Sequence, residues 1–179
     1  PQVMGGYLGK PEASAKVLSA AGWFDTGDLG MLLPDGSLAL TGRAKDTIVL
    51  SSGENIEPGP LEEALVASPQ IEQVRLVRQD QRQLGALLVP RVEPIRAWAQ
   101  EQGLSVPEDL GGQPGAPALL NLLMKECNRM LRLRPGARGD ERLCGVGLVE
   151  PFSIENGLLT QTLKQRRDRI SRRDAAVIE

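Results

Sequence analysis

Short apolar runs separated by turn residues occupy roughly the first fifty positions of the chain. Apolar residues at 13, 15, 17 and 18 predict a short helix, and Pro34-Asp35-Gly36 predicts a turn between two strands. Proline presets φ in such a turn, and glycine accepts a positive φ, so a hairpin is expected there. This part is therefore predicted to be rich in short strands, at 23–24, 29–33, 37–40 and 47–50.

Beyond residue 55 the pattern changes to alternating helical and strand-like segments. Pro58 and Pro60 can open a helix that runs through about Ala67, because proline is tolerated in a first turn. Further helices are predicted at 93–102 and 163–173, and strands at 74–78, 84–89 and 145–150. Residues 79–83 predict a turn, and the Gly- and Pro-rich residues 103–117 a loop. The clearest amphipathic helix is 119–133, with one apolar stripe of Leu119, Leu122, Leu123, Cys127, Met130 and Leu131.

These patterns predict an α+β protein with two parts. Residues 1–43 form the end of a β-rich domain, and residues 44–179 form a small domain of mixed helices and strands. The charged residues Arg43, Lys45 and Asp46 lie between them and suit a hinge. Because the chain opens with Pro1-Gln2-Val3, we interpret it as a piece whose N-terminal part lies elsewhere.

Composition removes several classes of function. The chain has no histidine, which excludes Ser-His hydrolysis and histidine-based zinc sites within it. Cys127 and Cys144 lack metal-binding spacing, so no metal site is predicted, and two unpaired thiols suit a cytoplasmic setting. A net charge of −2 gives no global reason to expect nucleic acid. The apolar runs are too short to span a bilayer, while peripheral membrane association stays open.

Three segments carry candidate chemistry, each with a simpler alternative. Asp28, in GWFDTGDLG at 22–30, could accept hydrogen bonds from ribose hydroxyls or simply satisfy a local turn. Arg43 offers a fork of donors for ribose or phosphate, or a surface ion pair. Gly53 lies where the backbone either turns sharply or approaches a ligand. Lys164 could reach a phosphate or carboxylate from the start of a helix, or belong to a solvated helix face.

The order and the amino-acid sequences of these segments resemble those of the adenylate-forming acyl-activating superfamily. That superfamily includes acyl-CoA synthetases, peptide-synthetase adenylation domains and luciferases. GRAKDTIVLSSGENIEP, QLGALLVP and IENGLLTQTLK are most similar to long-chain fatty acid ligases, including acyl-acyl-carrier-protein synthetases of the cyanobacterial type. The likeness covers nearly the whole chain, from GGYLGKPEAS at 5–14 to the basic terminal segment. It implies the small mixed-sheet C-terminal domain of that superfamily, preceded by strands from the end of its large N-terminal domain.

The resemblance also implies a role for each motif residue. Asp28 and Arg43 would contact the ribose of ATP, and Lys45 would be the hinge. Lys164 would be the catalytic lysine of adenylation. The loop beside the thiol tunnel would be formed by Ser52, Gly53 and Glu54. Basic residues that could dock CoA or a carrier protein are Arg166, Arg167 and Arg169.

The implied reaction joins a long-chain fatty acid, activated by ATP, to the thiol of CoA or of phosphopantetheinyl acyl carrier protein. Mg²⁺ would be held by residues upstream of residue 1, so the chain alone is expected to be inactive. Two alternatives stay open, a non-catalytic module that docks carrier protein or CoA, and the adenylation domain of another acid–thiol ligase. With no carrier domain after Glu179, a stand-alone ligase is favoured over a peptide synthetase. One departure is Thr162-Leu163, where the family usually has glycine just before the lysine.

Overall fold

The computed structural model describes residues 3–79, 83–104, 106, 110 and 116–178. They divide into two compact units, Pro1–Lys45 and Asp46–Glu179. The boundary expected after residue 43 lies two residues before this division. Within the described ranges, none of the helices is long and apolar enough to cross a bilayer.

The first unit is built around a β-hairpin. Helix α1 (Pro11–Val17) precedes strands β1 (Asp28–Leu32) and β2 (Leu38–Arg43), which pair antiparallel from Asp28 opposite Arg43 to Leu32 opposite Leu38. The predicted turn is confirmed, with Gly36 at φ 83°. Ser37 donates to the Asp35 carboxylate from its hydroxyl and its backbone N–H, which lowers the pKa of Asp35. The strand predicted at 23–24 is wrong, since only an isolated bridge joins Leu18 to Phe24.

The second unit combines a three-stranded sheet with helices. The sheet runs in the order β5 (Ile71–Gln79), β6 (Gln83–Pro90) and β7 (Leu143–Leu148), antiparallel between β5 and β6 and parallel between β6 and β7. This arrangement confirms the small mixed sheet. The elements in chain order are β3 (Ile48–Val49), β4 (Asn55–Ile56), α2 (Pro58–Val66), β5 (Ile71–Gln79), β6 (Gln83–Pro90), α3 (Val92–Glu101), α4 (Pro117–Leu133), β7 (Leu143–Leu148), α5 (Arg167–Arg173) and α6 (Ala175–Ile178).

Apolar residues cover both faces of this sheet. Alternate side chains of β6 point to opposite faces, so Ala86 and Leu88 join one core while Leu87 and Val89 join another. The larger core also contains the buried residues of α2, α3 and α4. The smaller core is completed by Phe152, Leu158 and Ile170 from the C-terminal segment. That segment is therefore fastened to the sheet on either side of Lys164.

Most predicted elements are confirmed, with two corrections in this unit. The stripe of α4 is narrower than predicted, since Leu119, Leu123, Cys127 and Leu131 are buried but Leu122 and Met130 are only half-buried. The terminal helix begins at Arg167 rather than at residue 163. Residues 80–82 of the predicted turn, and most of the loop at 103–117, lie outside the described residues.

Candidate functional site

Asp28 and Arg43 form an ion pair at the end of the hairpin. They are register partners, and Asp28 Oδ1 lies 3.0 Å from Arg43 Nε. The Asp28 and Arg43 side chains are 29% and 59% exposed, so both reach solvent. Gly27, at φ 71°, accepts a hydrogen bond from the Ala44 N–H, which holds the two strand ends together. A partly exposed carboxylate beside a guanidinium suits the vicinal hydroxyls of a ribose.

Lys45 is exposed in the turn at 44–46, directly before the division between the two units. This position agrees with the expected hinge, which stays a prediction.

The Gly53 loop is a tight turn that closes the β3–β4 ribbon. The Gly53 N–H donates to the Leu50 carbonyl at 2.9 Å, and Leu50 N–H donates to Glu54 at the same distance. Gly53 has φ 93°, whereas a Cβ there would meet nothing within 4 Å. Glycine is therefore required by backbone conformation rather than by space. Ser52 and Glu54 are exposed and border a cleft of about 480 Å³.

Lys164 lies at the tip of a second tight hairpin, not within a helix. The Thr160 N–H donates to the Lys164 carbonyl at 2.8 Å, and the Lys164 N–H donates to Thr160 Oγ1 at 3.0 Å. One pair further along, the Arg166 N–H donates to Leu158 at 2.8 Å. The lysine side chain is exposed. Its backbone is thus fixed by hydrogen bonds while its ammonium reaches into solvent, three residues before α5.

Leu163, immediately before the lysine, has φ 59°. Among the described residues other than glycine it alone has a positive φ. A leucine in this left-handed region is strained, whereas glycine is not. Glycine would adopt this conformation without strain, in line with the glycine that the resembled family usually has just before the lysine.

The hairpin is attached to the rest of the unit by polar contacts that sequence reasoning missed. Gln165 Nε2 donates to the Val74 carbonyl of β5 at 2.9 Å. Arg167 binds Glu62 of α2 through both terminal nitrogens, at 3.1 and 2.8 Å. Arg167 Nε also lies 3.3 Å from Asp46 Oδ2. A glutamate next to buried Leu61 was visible in the sequence, but its partner lies 105 residues away.

Glu62 is nearly buried and well supplied with donors. Burial raises the pKa of this carboxyl group, and the charge of Arg167 and the hydrogen bond from the Leu76 N–H oppose the rise. That N–H donates to Glu62 Oε1 at 2.9 Å. Arg75 Nη1 approaches the same oxygen at 3.5 Å. The carboxylate therefore joins α2, β5 and the start of α5.

The three arginines expected to dock a partner occupy different environments. Arg166 and Arg169 are exposed, and Arg169 Nη1 lies 3.4 Å from the Gly157 carbonyl. The Arg167 side chain is only 18% exposed and is engaged by two carboxylates. Arg173 is also engaged internally, with Asp174, the Glu150 carbonyl and the Phe152 ring. Of the three predicted docking residues, Arg166 and Arg169 therefore present their charge to solvent and Arg167 does not.

No group of three or more acidic or cysteine side chains within the described ranges is placed to hold a metal ion. For a nucleotide, the Asp28–Arg43 pair offers both an acceptor and a donor.

The chain is similar to known acyl-activating enzymes over most of its length. Residues 45–105 match the family model described as AMP-binding enzyme C-terminal domain. The chain is 38% identical to the probable acyl-activating enzyme 16 of Arabidopsis thaliana chloroplasts, over 95% of this chain and 24% of that protein. It is also 38% identical to a chloroplastic long-chain-fatty-acid–[acyl-carrier-protein] ligase of the same plant, over 95% of this chain and 23% of the relative.

A human relative and a solved structure extend this likeness. Human long-chain-fatty-acid–CoA ligase 1 is 36% identical, over 93% of this chain and 24% of the relative. The adenylation domain of a carboxylic acid reductase from Segniliparus rugosus, solved with AMP and a co-purified carboxylic acid, superposes with a TM-score of 0.80 and 25% identity. It covers 98% of this chain and 26% of that one. The chain thus spans about a quarter of the length of these relatives. The resemblance drawn from the motifs is confirmed, and residues 45–105 belong to the C-terminal domain family of AMP-binding enzymes.

Proposed function

We propose that this chain is the C-terminal part of an ATP-dependent long-chain fatty acid ligase. The whole enzyme would adenylate a fatty acid and pass the acyl group to the thiol of CoA or acyl carrier protein. The observation that carries the proposal is the position of Lys164. Its exposed ammonium extends from a hairpin that is held by backbone hydrogen bonds, and the sequence of this segment resembles that of the long-chain ligases. Relatives named for both acceptors support the substrate class.

In the first half-reaction a carboxylate oxygen attacks the α-phosphorus of ATP, and the bond to pyrophosphate breaks. Both reactants are anions, so a positive charge between them lowers the barrier. The ammonium of Lys164 supplies that positive charge. Losing one such preorganised donor lowers a rate by about 10²–10³-fold. Asp28 and Arg43 hold the ribose in the same step.

In the second half-reaction a thiol sulfur bonds to the acyl carbon, the bond to AMP breaks, and the thiol proton is released. Lys164 has no part in this step and would obstruct the thiol. A rotation about Lys45 withdraws the lysine and brings the loop of Ser52, Gly53 and Glu54 to the acyl-adenylate. The tight Gly53 turn and the cleft beside it suit a loop that lines a narrow thiol path. The proposed boundary between the N-terminal domain and the mobile C-terminal domain lies after residue 43.

The Asp28–Arg43 pair fits the ribose of ATP. As the family resemblance implies, we place the magnesium ligands and the acyl pocket upstream of residue 1. The isolated chain is expected to form no acyl-AMP from palmitate and ATP.

The test compares two lysines in the full-length enzyme that carries this chain. Beyond Lys45 the sequence holds only Lys125 and Lys164, and both are exposed. Lys164→Ala should lower pyrophosphate release from palmitate and ATP by about 10²–10³-fold. Lys125→Ala, on the solvent side of α4, should leave the rate unchanged. Equal rates for Lys164→Ala and wild type would overturn the proposal.

The acceptor is decided by comparing CoA with holo acyl carrier protein in thioester formation. Exposed Arg166 and Arg169 favour an anionic partner. A carrier protein would offer them carboxylates, and CoA would offer them phosphates. A double substitution of both arginines to alanine should raise the KM for the true acceptor and leave adenylation intact. An unchanged KM for both acceptors would remove these arginines from docking.

The same arginines support a second candidate, a docking module without catalysis of its own. NMR shift changes on adding carrier protein to the isolated chain would support it. If the NMR shifts occur and Lys164→Ala abolishes adenylation in the full enzyme, the chain takes part in both catalysis and docking. If adenylation survives and shifts still occur, only the docking function remains.

A further inference from the structure

We propose that Arg167, clamped by Glu62, is a positioning residue that holds Lys164 in place for adenylation. This inference rests on the function proposed above, because it assumes that Lys164 acts in that step. Arg167 is the first residue of α5 and lies three residues after the lysine. Its guanidinium is the contact through which the end of the hairpin meets α2.

The Arg167–Glu62 pair, called the clamp below, fixes the orientation of the Arg167 guanidinium. Two parallel hydrogen bonds, at 3.1 and 2.8 Å, fix the plane of the Arg167 fork against the Glu62 carboxylate. A bidentate pair of this kind restricts orientation as well as distance. The carboxylate is itself held by the Leu76 N–H of β5. These contacts fix the lysine hairpin relative to the sheet, and Gln165 makes a second contact there, with Val74 of β5.

Stability alone is a weak reason for this arrangement. The Glu62 and Arg167 side chains are only 13% and 18% exposed, and nearly buried ion pairs are often no more stabilising than apolar residues of similar volume. What an apolar pair cannot supply is a fixed orientation for the residues that follow the lysine. Because Lys164 itself is solvated, its reach depends on where its backbone is held.

The same guanidinium also contacts the segment next to the hinge. Arg167 Nε lies 3.3 Å from Asp46, which directly follows Lys45. On its other side, α2 follows β4 and hence the Gly53 loop, with Pro58 two residues after Ile56. The Arg167 side chain therefore connects the segment after the hinge residue with helix α2, which follows the Gly53 loop, three residues after Lys164.

The experiment uses Glu62→Gln and Arg167→Lys in the full-length enzyme. The first keeps the shape and an acceptor for Leu76 N–H, and the second keeps the charge but loses the fork. The matched control is Glu141→Gln, which breaks the Arg134–Glu141 pair. Those side chains are 19% and 9% exposed, as deeply buried as the clamp, and belong to the loop before β7. Stability is measured by urea unfolding for all three.

Two half-reactions separate positioning from general damage. Pyrophosphate release from palmitate and ATP should fall about 10²-fold in both clamp variants, as misplacement by about 1 Å can produce. Thioester formation from supplied palmitoyl-adenylate should stay near the wild-type rate, since Lys164 is withdrawn in that step. Glu141→Gln should lose similar stability and keep both rates.

Two results overturn the inference. One is a clamp variant that loses no more adenylation than Glu141→Gln. The other is an equal loss in both half-reactions, which would make the clamp a general structural element. Lys164→Ala, run in parallel, separates this outcome from failure of the proposed function. If that variant keeps adenylation, the function is wrong, whereas its loss beside intact clamp variants refutes only the positioning role.

Discussion

Replacing Leu163 by glycine should stabilise the chain relative to replacing it by alanine. Leu163 has φ 59°, and its side chain is 69% exposed, so little burial is lost in either variant. Alanine keeps the Cβ that clashes in this region, and glycine removes it. The comparison of the two variants therefore isolates backbone strain.

Two opposing terms set the size of the difference. Relief of left-handed strain is worth about 1–2 kcal/mol. The greater freedom of glycine in the unfolded chain takes back about 0.4–1 kcal/mol. From the midpoints of these two ranges, glycine should exceed alanine by about 0.8 kcal/mol in free energy of unfolding. For a chain of this size the midpoint should differ by about 1–4 °C.

Urea unfolding followed by circular dichroism measures this difference, and thermal unfolding gives an independent value. Leu163→Asn should lie between the two variants, since asparagine tolerates a positive φ better than alanine. An alanine variant as stable as the glycine variant would show that the hairpin relaxes without strain. The positive φ at Leu163 would then not explain the family glycine.

The remaining predictions concern the core and the thiols. Leu123→Ala should lower the free energy of unfolding in urea by about 2–5 kcal/mol, because the Leu123 side chain is buried in the core. Leu133 is 70% exposed on the same helix, so Leu133→Ala should change that free energy by less than about 0.5 kcal/mol. Similar losses in the two variants would contradict the assigned core. N-ethylmaleimide should label exposed Cys144 in the native chain and spare Cys127, where burial raises the pKa of the thiol to about 12. Mass spectrometry checks this order, and rapid native labelling of Cys127 would contradict its position in the core.

The parts of the fold that follow from local periodicity were predictable from sequence. The hairpin turn at Pro34–Gly36, the helix Pro117–Leu133 and the three strands of the mixed sheet depend on short-range patterns, and all appear. The helix predicted from residue 163 was wrong at its start because backbone pairing with 158–160 overrides the helical spacing there. The clamp of Glu62 on Arg167 was out of reach for another reason. No local pattern reveals a pair 105 residues apart.

The exposure of Lys164 and the rigidity of its backbone have one explanation. If Lys164 acts as proposed, it has to meet two anions and then leave them, and burying an ammonium without a permanent partner would carry a large desolvation cost. Precision therefore has to come from the main chain rather than from side-chain packing. The hairpin hydrogen bonds, the Gln165 contact with β5 and the Glu62 clamp supply it. It follows that adenylation should be more sensitive to changes beneath the hairpin than to changes in the exposed charges around it.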